Sequence, residues 1–267
     1  MINYLKLVDF EVKRFWKIYA VLIALLFVLQ PVAMFFSLSG VEENMRNTGV
    51  GYINDVMPMS NYTSSLLFIL PNIICIGALL FYVFGTWYLE WFGKNTFAYQ
   101  ILLLPGNRMS VYFAKLTSLL LFIIGCIAAQ LAIFPVLKGI YTFRIPLELR
   151  AGDNLISWIS QHQLILDVVI PVNGLNFIGF YSLGIMSVIM IFTMIVLERS
   201  FRLKGIGLSI LYAIGCVFLF IVADLIDELI LSLYMNEYVI IRTVCVAITI
   251  GLSLWISHYA INKKISV

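Results

Sequence analysis

Residues 18–39 read IYAVLIALLFVLQPVAMFFSLS and contain no Asp, Glu, Lys or Arg. A helix needs about 20 predominantly apolar residues to cross the hydrocarbon core of a bilayer, and this run has that length. Inside hydrocarbon the backbone has no water to bond, so it must satisfy itself as a helix. The run is too long and too evenly apolar for a barrel strand, which alternates. It also exceeds the apolar region of a signal peptide, about 7–15 residues. Ser37-Leu38-Ser39 does resemble a small-x-small cleavage pattern. We read the stretch as an uncleaved first span.

Five more runs of this kind follow, at about 64–89, 111–137, 172–197, 206–223 and 238–260. The composition agrees: 62% of the 267 residues are hydrophobic and 12% are charged, where a water-soluble domain carries about a quarter charged residues. Mean hydropathy is +1.01. The expected fold is all-α integral membrane, six transmembrane helices in a single transmembrane domain, 1–267. Short connections leave little room for a water-facing catalytic domain.

Orientation follows from Lys and Arg. With a cytoplasmic N-terminus, the inner segments hold Lys6, Lys13, Arg14, Lys17, Lys94, Arg108, Lys115, Arg199, Arg202, Lys204, Lys263 and Lys264. The outer segments hold only Arg46, Lys138, Arg144, Arg150 and Arg242. This places the chain in the cytoplasmic membrane as a multi-pass protein with both termini in the cytoplasm. Lys6, Asp9, Lys13 and Lys17 recur at helical spacing, with Leu5, Val8, Val12 and Phe15 on another face. That pattern predicts an interfacial amphipathic helix over 3–17. Outer loops are expected at 40–63 and 138–171, with a short surface helix from Leu155 to Val169. Asp224, Asp227 and Glu228 interrupt an apolar stretch. At about 2.5–3.5 kcal/mol each on insertion scales, they must reach the outer interface.

The inner link between spans two and three carries the most specific pattern. It runs Glu90-Trp91-Phe92-Gly93-Lys94-Asn95-Thr96-Phe97 and on through Leu102-Leu103-Leu104-Pro105-Gly106-Asn107-Arg108. Gly93 breaks the preceding helix, and Asn95 or Thr96 can cap a new one. Pro105-Gly106 stops it. A short crosswise helix over 95–105 is predicted.

This segment resembles the first cytoplasmic loop of ABC-2 type transporter permeases, the transmembrane subunits of bacterial ABC exporters. Their pattern there is an acidic residue, a Gly-Thr pair, a Leu-rich turn, then Pro-x-x-Arg and a Lys seven residues on. This chain has Glu90, Gly93, Thr96, Leu102, Leu103, Leu104, Pro105, Arg108 and Lys115; the Pro-x-x-Arg and following Lys match in spacing, and the Gly-Thr pair does not, because Lys94 and Asn95 intervene. The resemblance covers about 26 residues as sequence, and the six-span layout as a whole. It implies that 95–105 is a coupling helix docking on a separate ABC ATPase (nucleotide-binding) subunit. The residues implied in coupling are Glu90, Gly93, Asn95, Thr96, Leu102, Leu103, Leu104, Pro105 and Arg108. It further implies a second permease copy or paralogue, and export by alternating access.

No G-x-x-x-x-G-K-[ST] phosphate loop occurs. The chain is therefore not expected to be an enzyme, and ATP and Mg would sit on the partner ATPase. No cofactor or metal is expected on the chain itself. Its two histidines, His162 and His258, form no ligand motif, and Cys75, Cys126, Cys216 and Cys245 share no metal or redox spacing. A net charge of +3 is small, and no nucleic-acid partner is expected. Membrane lipid surrounds the spans. Asn72, Gln130, Asn173 and Asn176 are polar within the spans; they are interhelical hydrogen bonders or residues lining a cargo pathway. The 20 Phe, 14 Tyr and 5 Trp suit an amphipathic peptide, antimicrobial peptide or lipid-like cargo. The alternatives are a stand-alone secondary transporter or channel, and a polysaccharide-exporting ABC permease. A membrane enzyme would need clustered catalytic groups at one depth, which the sequence lacks.

Overall fold

The structure is a computed structural model that describes residues 2–48, 65–92, 108–145, 174–201, 203–227 and 234–263. Among them are six helices: α1 (Ile2–Thr48), α2 (Leu66–Phe92), α3 (Met109–Arg144), α4 (Gly174–Phe201), α5 (Leu203–Ile226) and α6 (Met235–Lys263). Each contains a segment long and apolar enough to cross a membrane, so the described chain is all-helical and fits a multi-pass membrane protein. Residues 95–105, 155–169 and Glu228 lie outside the described residues.

α1 differs from its expected form. The sequence reading separates an interfacial helix at 3–17 from a span at 18–39, yet one unbroken helix covers both. Residues 2–30 contain no Gly and no Pro, so nothing in the chain chemistry stops the helix at residue 17. Buried Val8, Glu11, Phe15, Leu22, Leu26, Gln30, Met34 and Leu38 recur at steps of three, four or seven. They form one inward stripe along its length. At 1.5 Å per residue, its 47 residues make about 70 Å of helix, over twice the ~30 Å hydrocarbon core.

Prolines divide the helices into two sets. α1, α2 and α3 contain Pro31, Pro71 and Pro135, and α4, α5 and α6 contain none. A helical proline removes one N–H and leaves the carbonyl four residues earlier without its usual donor. Membrane helices tolerate this where neighbours supply polar groups.

The chain forms two compact units. The first comprises Met1–Val12, Leu80–Leu120 and Leu175–Val267. Hydrogen bonds within it set helix ends against one another. Tyr4 Oη pairs with Thr117 Oγ1 at 2.6 Å, which sets the start of α1 on the start of α3. Arg108 Nη1 donates to the Ile261 carbonyl at 3.5 Å, which adds the end of α6. Tyr88 donates to Glu198, which adds the ends of α2 and α4. Gly205 packs against the Leu197 and Glu198 carbonyls, which adds the start of α5. Both ends of the chain's helical order, the start of α1 and the end of α6, therefore share one end of this unit.

The second unit comprises Lys13–Leu79 and Leu121–Gly174. Its core is Ala33, Met34, Leu38, Phe68, Ile133, Phe134, Leu137, Tyr141 and Ile145, contributed by α1, α2 and the end of α3. Phe15 meets Phe122 edge-on at 5.2 Å between centroids. Ser65 caps α2: its carbonyl accepts from Phe68 N at 3.0 Å and its hydroxyl at 3.4 Å. Outside these contacts, large apolar side chains such as Phe36, Phe81, Leu211 and Trp255 are widely exposed. In water such a surface would be unstable; against acyl chains it is solvated.

Candidate functional site

Polar clusters tie helices together within each unit. In the first unit, Lys115 in the second turn of α3 is 1% exposed, and Glu11 on α1 is 3% exposed. Lys115 Nζ donates to Glu11 Oε1 at 2.7 Å. The same ammonium donates to the Thr86 carbonyl of α2 at 3.1 Å and lies 5.4 Å above the centre of the Trp87 ring. Tyr82 donates to the Glu11 carbonyl at 3.4 Å. One cation thus grips α1 and α2 from α3. Trp87 continues the cluster edge-on into Phe192 of α4 at 5.7 Å, and Phe192 meets Tyr112 at 5.6 Å. Glu11 Oε2 has no hydrogen-bond partner among the described residues.

Beside it runs a hydroxyl seam. Thr249, Ser253 and Ser257 are buried on α6 at four-residue steps, one face of the helix. Thr193 Oγ1 of α4 donates to the Ser253 carbonyl at 3.3 Å and lies 3.0 Å from Ser257 Oγ. Tyr212 of α5 hydrogen-bonds Ser253. At the far end of these two helices, Arg242 makes a two-pronged bond with Asp224: Nη2 lies 2.9 Å from Oδ2 and 3.1 Å from Oδ1. Tyr238 donates to the same carboxylate at 3.1 Å.

In the second unit the cluster is neutral. Gln30 Nε2 donates to Asn72 Oδ1 at 3.2 Å and to Gln130 Oε1 at 3.1 Å. Gln130 Nε2 returns a bond to Gln30 Oε1 at 3.3 Å. Three amides therefore join α1, α2 and α3. Gln30 adjoins Pro31, and Asn72 adjoins Pro71.

Of the predicted cargo-lining residues, Asn72 and Gln130 come together through Gln30. Asn173 lies outside the described residues, and Asn176 falls in the first turn of α4. Of the predicted coupling residues, Gly93, Asn95, Thr96, Leu102, Leu103, Leu104 and Pro105 lie outside the described residues. Glu90 falls in the last turn of α2. Arg108 stands just before α3 and bonds a carbonyl at the end of α6, where a helix leaves acceptors unfilled.

Sequence reasoning missed Glu11 and Gln30. Glu11 shares a helical face with Val8 and Phe15, at steps of three and four, which placed it on the apolar side. Gln30 is the one amide in the 18–39 run. Among the described residues, no group of three His, Cys, Asp or Glu side chains can hold a metal ion.

The described residues define six helices long and apolar enough to cross a membrane, with buried polar ties within each unit. Comparison takes this no further: no family model, no curated protein and no solved structure matches the chain.

Proposed function

We propose that the chain is the transmembrane permease subunit of an ATP-driven ABC-2 type exporter. A partner ABC ATPase docks on the segment 95–105, a second permease completes the pathway, and an amphipathic peptide or lipid-like cargo leaves the cell by alternating access. In this reading both termini are cytoplasmic.

The observation that carries the reading is the spacing of Pro105, Arg108 and Lys115, with both cations turned into the bundle. A docking segment can move spans only if its flanks are held rigidly. Arg108 is held on α6, and Lys115 is held on α1 and α2. The sequence 1–267 holds no phosphate loop, and the reading assigns the motor to a partner ATPase.

The test is co-purification. An ATPase chain is expected to elute with the permease, and its ATP turnover is expected to depend on this chain. Replacing Leu102, Leu103 and Leu104 by Asp is expected to release the ATPase and leave the spans inserted. An ATPase that stays bound to the triple variant, or one that never binds, sinks the reading.

One observation bears on a stand-alone secondary transporter: a charged pair, Glu11 and Lys115, is buried among the helices, as intramembrane charge is in proton relays, although it lies near the starts of α1 and α3 and not at mid-span, where ion-coupled carriers bind. That reading predicts uptake or efflux by the chain alone in proteoliposomes under an ion gradient, with no ATP present.

A further inference from the structure

Buried ion pairs are poor sources of stability, because two apolar side chains of similar size hold helices as well without the cost of dehydrating charge. The Glu11–Lys115 pair is a clear case. Its side chains are 4% and 1% exposed, and one carboxylate oxygen has no hydrogen-bond partner among the described residues. A buried acceptor left in that state is itself destabilising. What the pair does supply is register. A single ammonium fixes three positions at once: Glu11 on α1, the Thr86 carbonyl on α2, and its own place on α3.

Those positions have a particular place in the chain. Thr86 lies in the last two turns of α2, which ends at Phe92. Lys115 lies in the second turn of α3, which begins at Met109. They are the two helix ends that flank residues 93–107. We infer that Glu11 and Lys115 form a coupling strut, which carries displacement of these two helix ends into the start of α1. The inference rests on the permease reading above. Both residues are positioning residues and touch no nucleotide. Burial shields the pair from salt, so the strut stays stiff at cellular ionic strength. Tyr4, bonded to Thr117 Oγ1 at 2.6 Å and to the Phe113 carbonyl at 3.3 Å, holds the same start of α1 two turns away and keeps it seated when the strut is removed.

The experiment uses the full chain with its ATPase, reconstituted in lipid nanodiscs. Glu11→Met/Lys115→Met is the informative variant, because it removes both charges together; Lys115→Met alone can fail to fold. Expected for the double variant are an unchanged thermal midpoint, full retention of the ATPase, and a five- to tenfold fall in permease-dependent ATP turnover, the usual scale of an intersite coupling. The KM for ATP is expected to hold while maximal turnover falls. Wild-type turnover in the double variant overturns the strut. So does a fall in turnover that comes with parallel loss of midpoint or partner, since the pair is then structural alone. An unmodified chain that never changes an ATPase's turnover instead removes the permease reading, and the strut with it.

Discussion

The same three helices are tied twice, once in each unit, by different chemistry. In the first unit α1, α2 and α3 meet through a cation, a carboxylate, a carbonyl and an indole ring. In the second they meet through three amides. An amide carries its own donor and acceptor, so Gln30 and Gln130 close most of each other's needs and ask little of the surroundings. A charge in hydrocarbon costs several times more, and it needs a counter-charge plus further polar partners. Glu11 and Lys115 stand near the starts of their helices, and Thr86 stands near the end of its own, where that cost is lowest. The ionic tie buys stiff register at the ends of the spans; the amide tie supplies modest adhesion within them.

The comparison can be broken most directly at Lys115. Lys115→Met leaves Glu11 buried without its cation, and should cost about 3–5 kcal/mol, read as a lower midpoint in denaturant titration of the detergent-solubilised protein. A loss below about 1 kcal/mol would mean that the carboxylate is hydrated and the ionic tie is an ordinary surface pair.

Next in size is Gly205→Ala. The new Cβ would sit 2.5 Å from the Leu197 carbonyl and 2.6 Å from that of Glu198. Backbone cannot swing aside, so the turn from α4 to α5 must open, at about 1–3 kcal/mol. Thermal scanning fluorimetry should register it.

Gln30→Leu tests the amide tie. It removes the three amide bonds made by Gln30, and interhelical bonds in bilayers average about 0.6 kcal/mol each. A loss of roughly 1–2 kcal/mol is expected in the same titration. If it equals the loss from Lys115→Met, the distinction between the two ties disappears.

The smallest effect belongs to Gly125→Ala in the second unit. There the added Cβ meets only the ring of Tyr19, chiefly its hydroxyl. A side chain can rotate away, so the expected cost is under about 1 kcal/mol. Loss of the tilted Tyr19–Phe122 ring contact at 4.8 Å should appear as altered near-ultraviolet dichroism.

Six helices were legible because span length is set by the bilayer and apolar runs report it directly. The amides at 72 and 130 were legible for the related reason that a polar group inside such a run must find a partner. Which partner it finds was not, because periodicity gives the face of one helix and says nothing of its neighbour. Gln30 was overlooked for want of that neighbour. Glu11 was passed over, although its spacing from Val8 and Phe15 already set it on the inward stripe. Lys115 entered through the loop pattern, and its burial was hidden by that role. The continuity of α1 was missed because a change from charged to apolar composition looks like a boundary. Only Gly, Pro or a cap makes one, and residues 2–30 contain neither Gly nor Pro.

The prolines add a mechanical consequence. Pro31, Pro71 and Pro135 all fall in the second unit, and α4, α5 and α6, which apart from Gly174 belong to the first, have none. Each proline is a point of low bending stiffness. Bending within the second unit is therefore expected beside Gln30 and Asn72, whose amides adjoin Pro31 and Pro71.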